Sequence, residues 1–165
     1  KAGSEMDVAQ QEGRLHRNFQ GYTTDTAKTL LAFGASAIST LPSGFIQNKS
    51  AARDYMSAIK DGGLATARGV GLSNDDRLRS DIIERLMCNF HVDLEAVCDQ
   101  YGVPVRELAG DMDKLQPLIA DDLVAVDGWR VDVLPRGRIL VRMACAAFDQ
   151  YHAPNPDKPA HARAI

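Results

Sequence analysis

Residues 16–24 read H-R-N-F-Q-G-Y-T-T. Seven side chains that donate, accept or stack surround one Phe and one Gly. A core strand is more apolar than this, and a plain surface loop carries more Ser, Pro, Asp or Lys. Polar groups beside Gly21, which lets backbone approach closely, fit a ligand-facing loop. The same residue types also fit a hydrogen-bonded structural turn, and residue types alone do not separate the two readings.

Working outward, Met6, Val8 and Ala9 among polar residues predict a short helix closed by Gly13. On the other side, Thr24 or Asp25 can cap a short helix running to Leu31. Residues 32–40 are small and apolar and predict a short buried strand, stopped at Pro42-Ser43-Gly44. Residues 51–61 predict a helix with Ala52, Tyr55, Met56 and Ile59 on one face, ended by Gly62-Gly63. The Gly-rich residues 64–72 read as an extended hinge between two domains.

Beyond the hinge the local signals agree with one another. Ser73 and Asp76 form a capping pattern before a stripe of Leu78, Ile82, Ile83, Leu86 and Met87. Asp93 caps a second helix over 94–101, stopped by Gly102. A third helical stretch covers 105–120, interrupted near Gly110 and restarted at Pro117. Residues 123–126 and 129–133 flank Asp127-Gly128, a two-residue hairpin signal. Pro135 and Gly137 open a last helix over 138–151, with Ile139, Leu140, Met143, Ala147 and Phe148 predicted inward. Residues 153–165 hold three prolines and read as a mobile tail. The expected fold class is therefore α+β, mainly helical.

Composition excludes several classes. The chain has 165 residues, 45% apolar and 25% charged, as an ordinary globular protein does. No apolar run reaches the roughly 20 residues of a membrane span. The chain opens at Lys1 without Met or a signal-peptide pattern, as a fragment would. Cys88, Cys98 and Cys145 are odd in number and widely spaced, which predicts a reducing cytoplasm, with no disulfide framework and no metal ligands; Cys88 and Cys145, in apolar helical patterns, read as buried thiols. Residues 1–70 carry eight Lys/Arg against six Asp/Glu, whereas residues 71–165 carry eleven against sixteen. A polyanionic ligand would favour the first part.

H-R-N-F-Q-G-Y-T-T followed by G-A-S-A-I-S (34–39) resembles the oxygen-independent coproporphyrinogen III oxidases, a radical S-adenosylmethionine family. The resemblance continues through C-N-F (88–90) and G-R-I-L-V-R (137–142) to R-A-I (163–165), so it covers nearly the whole chain. The Q-G-Y-T-T core separates this family from the related haem-chaperone branch, which usually lacks it. The family's cluster motif, C-x-x-x-C-x-x-C, is absent from these residues. The resemblance implies a C-terminal piece. Residues 1–72 would be the edge of the catalytic β/α barrel, 73–152 a helical domain with a β-hairpin, and 153–165 a tail.

It further implies that Phe19, Gln20 and Ile38 line the pocket for S-adenosylmethionine. Phe19 and Ile38 supply apolar walls for adenine and methylene groups, and Gln20 can donate and accept. His16 and Arg17 are candidates to meet the substrate's propionates, or else to make structural ion pairs with a barrel carboxylate outside this chain. No catalytic or metal-ligating residue is expected in the chain itself. In the whole enzyme, a 4Fe-4S cluster and S-adenosylmethionine would serve oxidative decarboxylation of two propionates of coproporphyrinogen III. The chain alone should be inactive. The implied partners are that substrate and an electron donor, with no membrane. The parent should be a cytoplasmic monomer, though the piece could self-associate.

The order of three helices, a hairpin and a helix also suggests a winged-helix-like interaction domain. Residues 105–122 carry Glu107, Asp111, Asp113, Asp121 and Asp122 against Arg106 and Lys114, which would repel nucleic acid. His91, His152 and His161 lack partners at metal spacing and read as surface residues. Trp129 reads either as a recognition tip or as a residue packed across the hairpin.

Overall fold

The structure is a computed structural model that describes residues 3–152. The tail at 153–165, with His161 and Arg163–Ile165, lies outside the described residues. Helices and strands are mixed, and the chain divides into two compact units, Lys1–Glu84 and Arg85–Ile165. The division falls inside a helix that begins at Asn74; the boundary read from sequence lies just ahead of that helix.

In the first unit, α1 (Glu5–Gln11) is capped by the Ser4 hydroxyl, which accepts from the Asp7 amide, and the chain turns away at Gly13 with φ of +67°. The H-R-N-F-Q-G-Y-T-T stretch is a β-hairpin, β1 (His16–Asn18) against β2 (Gly21–Thr23). Pairing of Asn18 with Gly21 leaves Phe19 and Gln20 as its two-residue tip. Asn18 Oδ1 accepts from the Gln20 amide at 2.8 Å, so the asparagine side chain closes the turn.

The expected helix from Thr24 or Asp25 to Leu31 does not form. The Thr23 hydroxyl accepts from the Asp25 amide and Asp25 Oδ1 accepts from the Ala27 amide. These local bonds take the backbone donors that a helix would need capped. The strand expected over 32–40 is shorter, β3 (Ile38–Leu41). It turns through Pro42-Ser43 into β4 (Gly44–Asn48). Residues 64–72 are not a hinge, because Thr66–Gly71 forms β5 and pairs antiparallel with β4, giving the sheet order β3-β4-β5. Glycine is required at Gly44, where φ is +156° and a Cβ would lie 2.0 Å from the Val70 carbonyl oxygen. Between β4 and β5 runs α2 (Ala52–Lys60), which buries none of its residues and leaves Met56 and Ile59 exposed.

Helix α3 (Asn74–Asn89) starts as its sequence predicts. The Ser73 hydroxyl accepts from the Asp76 amide, and Asp76 Oδ2 accepts from the Ser73 amide at 2.9 Å, a reciprocal capping box. Leu78, Ile82 and Leu86 are wholly buried.

The second unit has a three-stranded sheet where the sequence suggests only a hairpin. Strand β6 (His91–Asp93) pairs with β8 (Arg130–Val133), which pairs with β7 (Val124–Asp127). Asp127 pairs with Arg130, so the turn is Gly128-Trp129, one residue beyond the expected Asp127-Gly128. Gly128 takes φ of +57° at the first turn position, where only glycine is comfortable. Asp93 Oδ1 accepts from the Ala96 amide to cap α4 (Leu94–Tyr101), and Gly102 closes it in the left-handed region.

A 3-10 turn (Val105–Leu108), α5 (Ala109–Asp113) and α6 (Gln116–Ala120) follow, with Pro117 in the first turn of α6. The last helical stretch is a 3-10 turn (Pro135–Leu140) and then α7 (Val141–Phe148). That change of winding turns the apolar stripe. Val141, Ala144, Cys145, Ala147 and Phe148 are buried, but Ile139, Leu140 and Met143, expected inward, are exposed. Val97, Cys98, Leu115, Val131 and Phe148 are completely buried in this unit.

Candidate ligand-binding site

The first unit gathers its cavity around the β1–β2 tip. Phe19, Gln20 and Ile38 line one cavity of about 660 Å³, together with residues 30–33, Ser36 and Ala37. The volume lies within the roughly 300–1,000 Å³ range of small-molecule sites. Residues from two separate stretches of the sequence thus share one concave surface. Gln20 and Phe19 stand exposed at its mouth, and Ile38 is half-buried in its wall.

Irregular backbone makes up much of this cavity, and the sheet braces it. Ser39 Oγ accepts from the Ala32 amide at 2.9 Å. Asn48 Nδ2 donates to the carbonyls of Ala32 and Gly34, at 3.3 and 3.0 Å. Gln47 Nε2 donates to the Ser36 carbonyl at 2.9 Å, and Tyr55 Oη accepts from the Gly34 amide at 3.1 Å. Each bond satisfies a loop backbone group that would otherwise depend on water, which fixes the wall. Of the bracing side chains, only Ser39 falls in the stretches that the sequence marks as functional; the loop-bracing roles of Gln47 and Asn48 come from strand register.

A second cavity of about 220 Å³ shares Phe19 and Ile38 and continues over Phe45, Ile46, Gln47 and residues 68–70. Phe19 meets Phe45 edge to face, with ring centroids 5.4 Å apart and planes at 83°. That geometry suits the aromatic quadrupoles and fixes the tip ring between the two cavities.

His16 and Arg17 line neither cavity. His16 Nδ1 lies 3.1 Å from Glu84 Oε1, and the Arg17 amide donates to the same oxygen at 3.2 Å. The carboxylate partner is therefore within this chain, at α3, and not in a part outside it. The Arg17 guanidinium stacks 5.8 Å from the Tyr22 ring centroid. The three cysteines are buried in the second unit, and among the described residues no group of three or more His, Cys, Asp or Glu could hold a metal. Nor is any helix there long and apolar enough to cross a membrane.

Residues 72–140 match the model of the HemN C-terminal domain. The sequence is 48% identical over 160 residues to an oxygen-independent coproporphyrinogen III oxidase of Bradyrhizobium diazoefficiens, covering 97% of this chain and 35% of that protein. It is 43% identical to the protein of that name from Salmonella typhimurium, over 89% of this chain and 32% of the relative. Among solved structures, coproporphyrinogen III oxidase (HemN) from Escherichia coli, described as a radical SAM enzyme, matches with a TM-score of 0.87 and 40% identity. That match covers 92% of this chain and 35% of the other. The chain thus carries a HemN C-terminal domain. Over nearly its whole length it is similar to oxygen-independent coproporphyrinogen III oxidases, and it spans about a third of the length of the relatives it matches.

Proposed function

We propose that the chain is the C-terminal part of an oxygen-independent coproporphyrinogen III oxidase, which converts two propionates of coproporphyrinogen III to vinyl groups and gives protoporphyrinogen IX. The observation that carries this reading is the meeting of Phe19, Gln20 and Ile38 on one cavity in a chain 48% identical to such an oxidase. On this reading, residues 1–72 are the edge of the radical-SAM barrel. Residues 73–152 are a winged-helix-like domain, a description that the sheet order β6-β8-β7, with β6 between α3 and α4 and the β7–β8 hairpin after the helices, supports. The acidic residues of 105–122 argue against nucleic acid as its partner.

The cavity's chemistry fits S-adenosylmethionine. Phe19 offers a ring face for adenine, Ile38 an apolar contact for the methylenes beside the sulfonium, and Gln20 an amide for ribose or aminoacyl groups. When bound and reduced through a 4Fe-4S cluster, S-adenosylmethionine supplies the radical that removes a propionate hydrogen. The cluster's ligands belong to a part of the parent outside these residues. This chain's share is to orient the cofactor and exclude water from it. His16 and Arg17 lie near enough in sequence to the tip to contact substrate through their remaining donors, with the Glu84 pair fixing the strand. The parent works in the cytoplasm with an electron donor.

Two variants of the full-length enzyme test the pocket. Gln20→Ala at the exposed tip should cost little stability, about 1 kcal/mol if one hydrogen bond is lost. It should lower 5′-deoxyadenosine formation on the order of a hundredfold, because a cofactor misplaced by an ångström reacts poorly. Ile38→Ala should lower stability as well, by roughly 2 kcal/mol at this half-buried position. Unchanged 5′-deoxyadenosine formation and protoporphyrinogen yield in Gln20→Ala would refute the assignment.

A further inference from the structure

Among the described residues that line either cavity, Arg68 alone is charged. It sits on β5 directly opposite Gln47 of β4. Arg68 Nε donates to Gln47 Oε1 at 2.8 Å, while Gln47 Nε2 donates to the Ser36 carbonyl at 2.9 Å. The amide is therefore oriented from both ends, and it ties the cation of the smaller cavity to the wall of the larger one. With Nε occupied, the two terminal nitrogens of the guanidinium keep their donors, the end-on fork that a carboxylate fills with two parallel bonds. Beside the fork the surface is apolar, with Phe19, Ile38, Phe45 and Ile46. Gly69 adds no side chain; a Cβ there would come within 3.1 Å of Ile46 Cγ2, so the backbone itself forms part of the floor.

We infer that Arg68, positioned by Gln47, binds a carboxylate carried by an apolar or aromatic body lying in the Phe19–Ile38 cleft. This rests on the ligand-site reading of the cleft. A single cation in an apolar surround is specific: it rejects a neutral analogue by leaving its own donors unpaired and rewards an acid with a charge-assisted pair. Two sources offer that chemistry, the aminoacyl carboxylate of S-adenosylmethionine and a propionate of the tetrapyrrole. The shared prediction is that Arg68 reads the carboxylate, whichever molecule bears it.

Binding to the 165-residue chain tests this in two arms. One compares S-adenosylhomocysteine with 5′-methylthioadenosine, which lacks the carboxylate. The other compares coproporphyrin III with its tetramethyl ester. In at least one arm the acid should bind the unaltered chain more tightly, and Arg68→Gln should abolish that preference with a loss of about ten- to a hundredfold for the acid only. Arg68→Lys should restore it only in part, because an ammonium lacks the fork. The responding arm identifies the source. Arg68 is exposed on its strand, so its replacement should leave the melting temperature unchanged. If the unaltered chain binds the acids but Arg68→Gln keeps the full preference, the inference falls and the cleft reading stands. If the unaltered chain binds neither pair, both fall.

Discussion

The two units solve the burial problem differently. In Arg85–Ile165 a closed core has formed: Leu94, Val97, Cys98, Leu115, Val131 and Phe148 have no accessible surface. In Lys1–Glu84 the sheet and hairpins keep their apolar side chains in view. Phe33 is 88% exposed, Leu64 89%, Leu31 64% and Phe19 57%, and every residue of β5 is exposed. Hydrogen bonds shape the first unit, through Asn18, Ser39, Gln47 and Asn48, whereas apolar burial shapes the second. Hydrogen bonds specify a geometry but contribute little net stability each, about 1 kcal/mol. Burying a large apolar side chain contributes roughly 1.5–3 kcal/mol. The first unit is thus built to present a surface and the second to hold itself together.

The largest expected consequence lies in local stability. Amides of α4, β8 and α7 should exchange only through global unfolding of their unit. Those of β1, β2 and β5 should exchange through local opening, on the order of a hundredfold faster or more. Hydrogen exchange read by mass spectrometry resolves these segments. Equal protection of both groups in a monomeric sample would break the comparison, because it would mean that the exposed sheet is as stable as the closed core.

A matched pair of glycine variants sharpens the same contrast. A Cβ at Gly137 would lie 2.1 Å from the Leu123 carbonyl oxygen, and one at Gly44 would lie 2.0 Å from that of Val70. The clashes are equal, but their settings differ. Gly137→Ala must force apart backbone in the packed unit and should lower its unfolding free energy by roughly 3 kcal/mol. Gly44→Ala should open the β3–β4–β5 sheet while leaving the melting of the second unit within about 0.5 kcal/mol, since distant sites act independently. Denaturant melts followed by Trp129 fluorescence report the second unit in both variants. A comparable loss from Gly44→Ala would show the two units to be thermodynamically one.

The same difference governs what the sequence reveals. In the second unit local signals and burial agree, so the caps at Asp93 and Gly102 are legible residue by residue and the hairpin to within one residue of its turn. What escapes there is small. Strand β6 has only three residues, with Val92 its sole buried side chain, too few for an alternation to register. The stripe through Ile139 and Met143 misleads because a 3-10 turn advances side chains at a different angle from an α-helix. In the first unit the misreadings are larger. Thr24 and Asp25 look like helix caps, but the Thr23 hydroxyl and the Asp25 carboxylate satisfy backbone in turns. The glycines of β5 look like a hinge, yet β4 supplies its partners. Phe19, Gln20 and Ile38 are legible through family resemblance. Gln47 and Arg68 become visible only when strand register sets them side by side.

The smallest expected effect concerns pH and belongs to the packed unit. Burial pushes the Cys98 thiol above its ordinary value of 9.0, and the nearby carboxylates of Asp99 and Glu107 raise it further. In the unfolded chain the thiol ionises near its ordinary value, while in the folded unit it still holds its proton. Between those two points the folded state binds more protons, so its stability falls as pH rises; below the ordinary value this group leaves stability unchanged. Each pH unit inside that window costs at most about 1.4 kcal/mol. Unfolding free energies measured at pH 7.5 and pH 10 should therefore differ less in Cys98→Ala than in the unaltered chain. The variant gives up a constant amount at both pH values for the small void it leaves. The first unit contains no cysteine, so protection of its amides should not respond to the substitution. An identical alkaline loss in Cys98→Ala would mean that the thiol is not held neutral by the core, and that the second unit is less tightly closed than its burial implies.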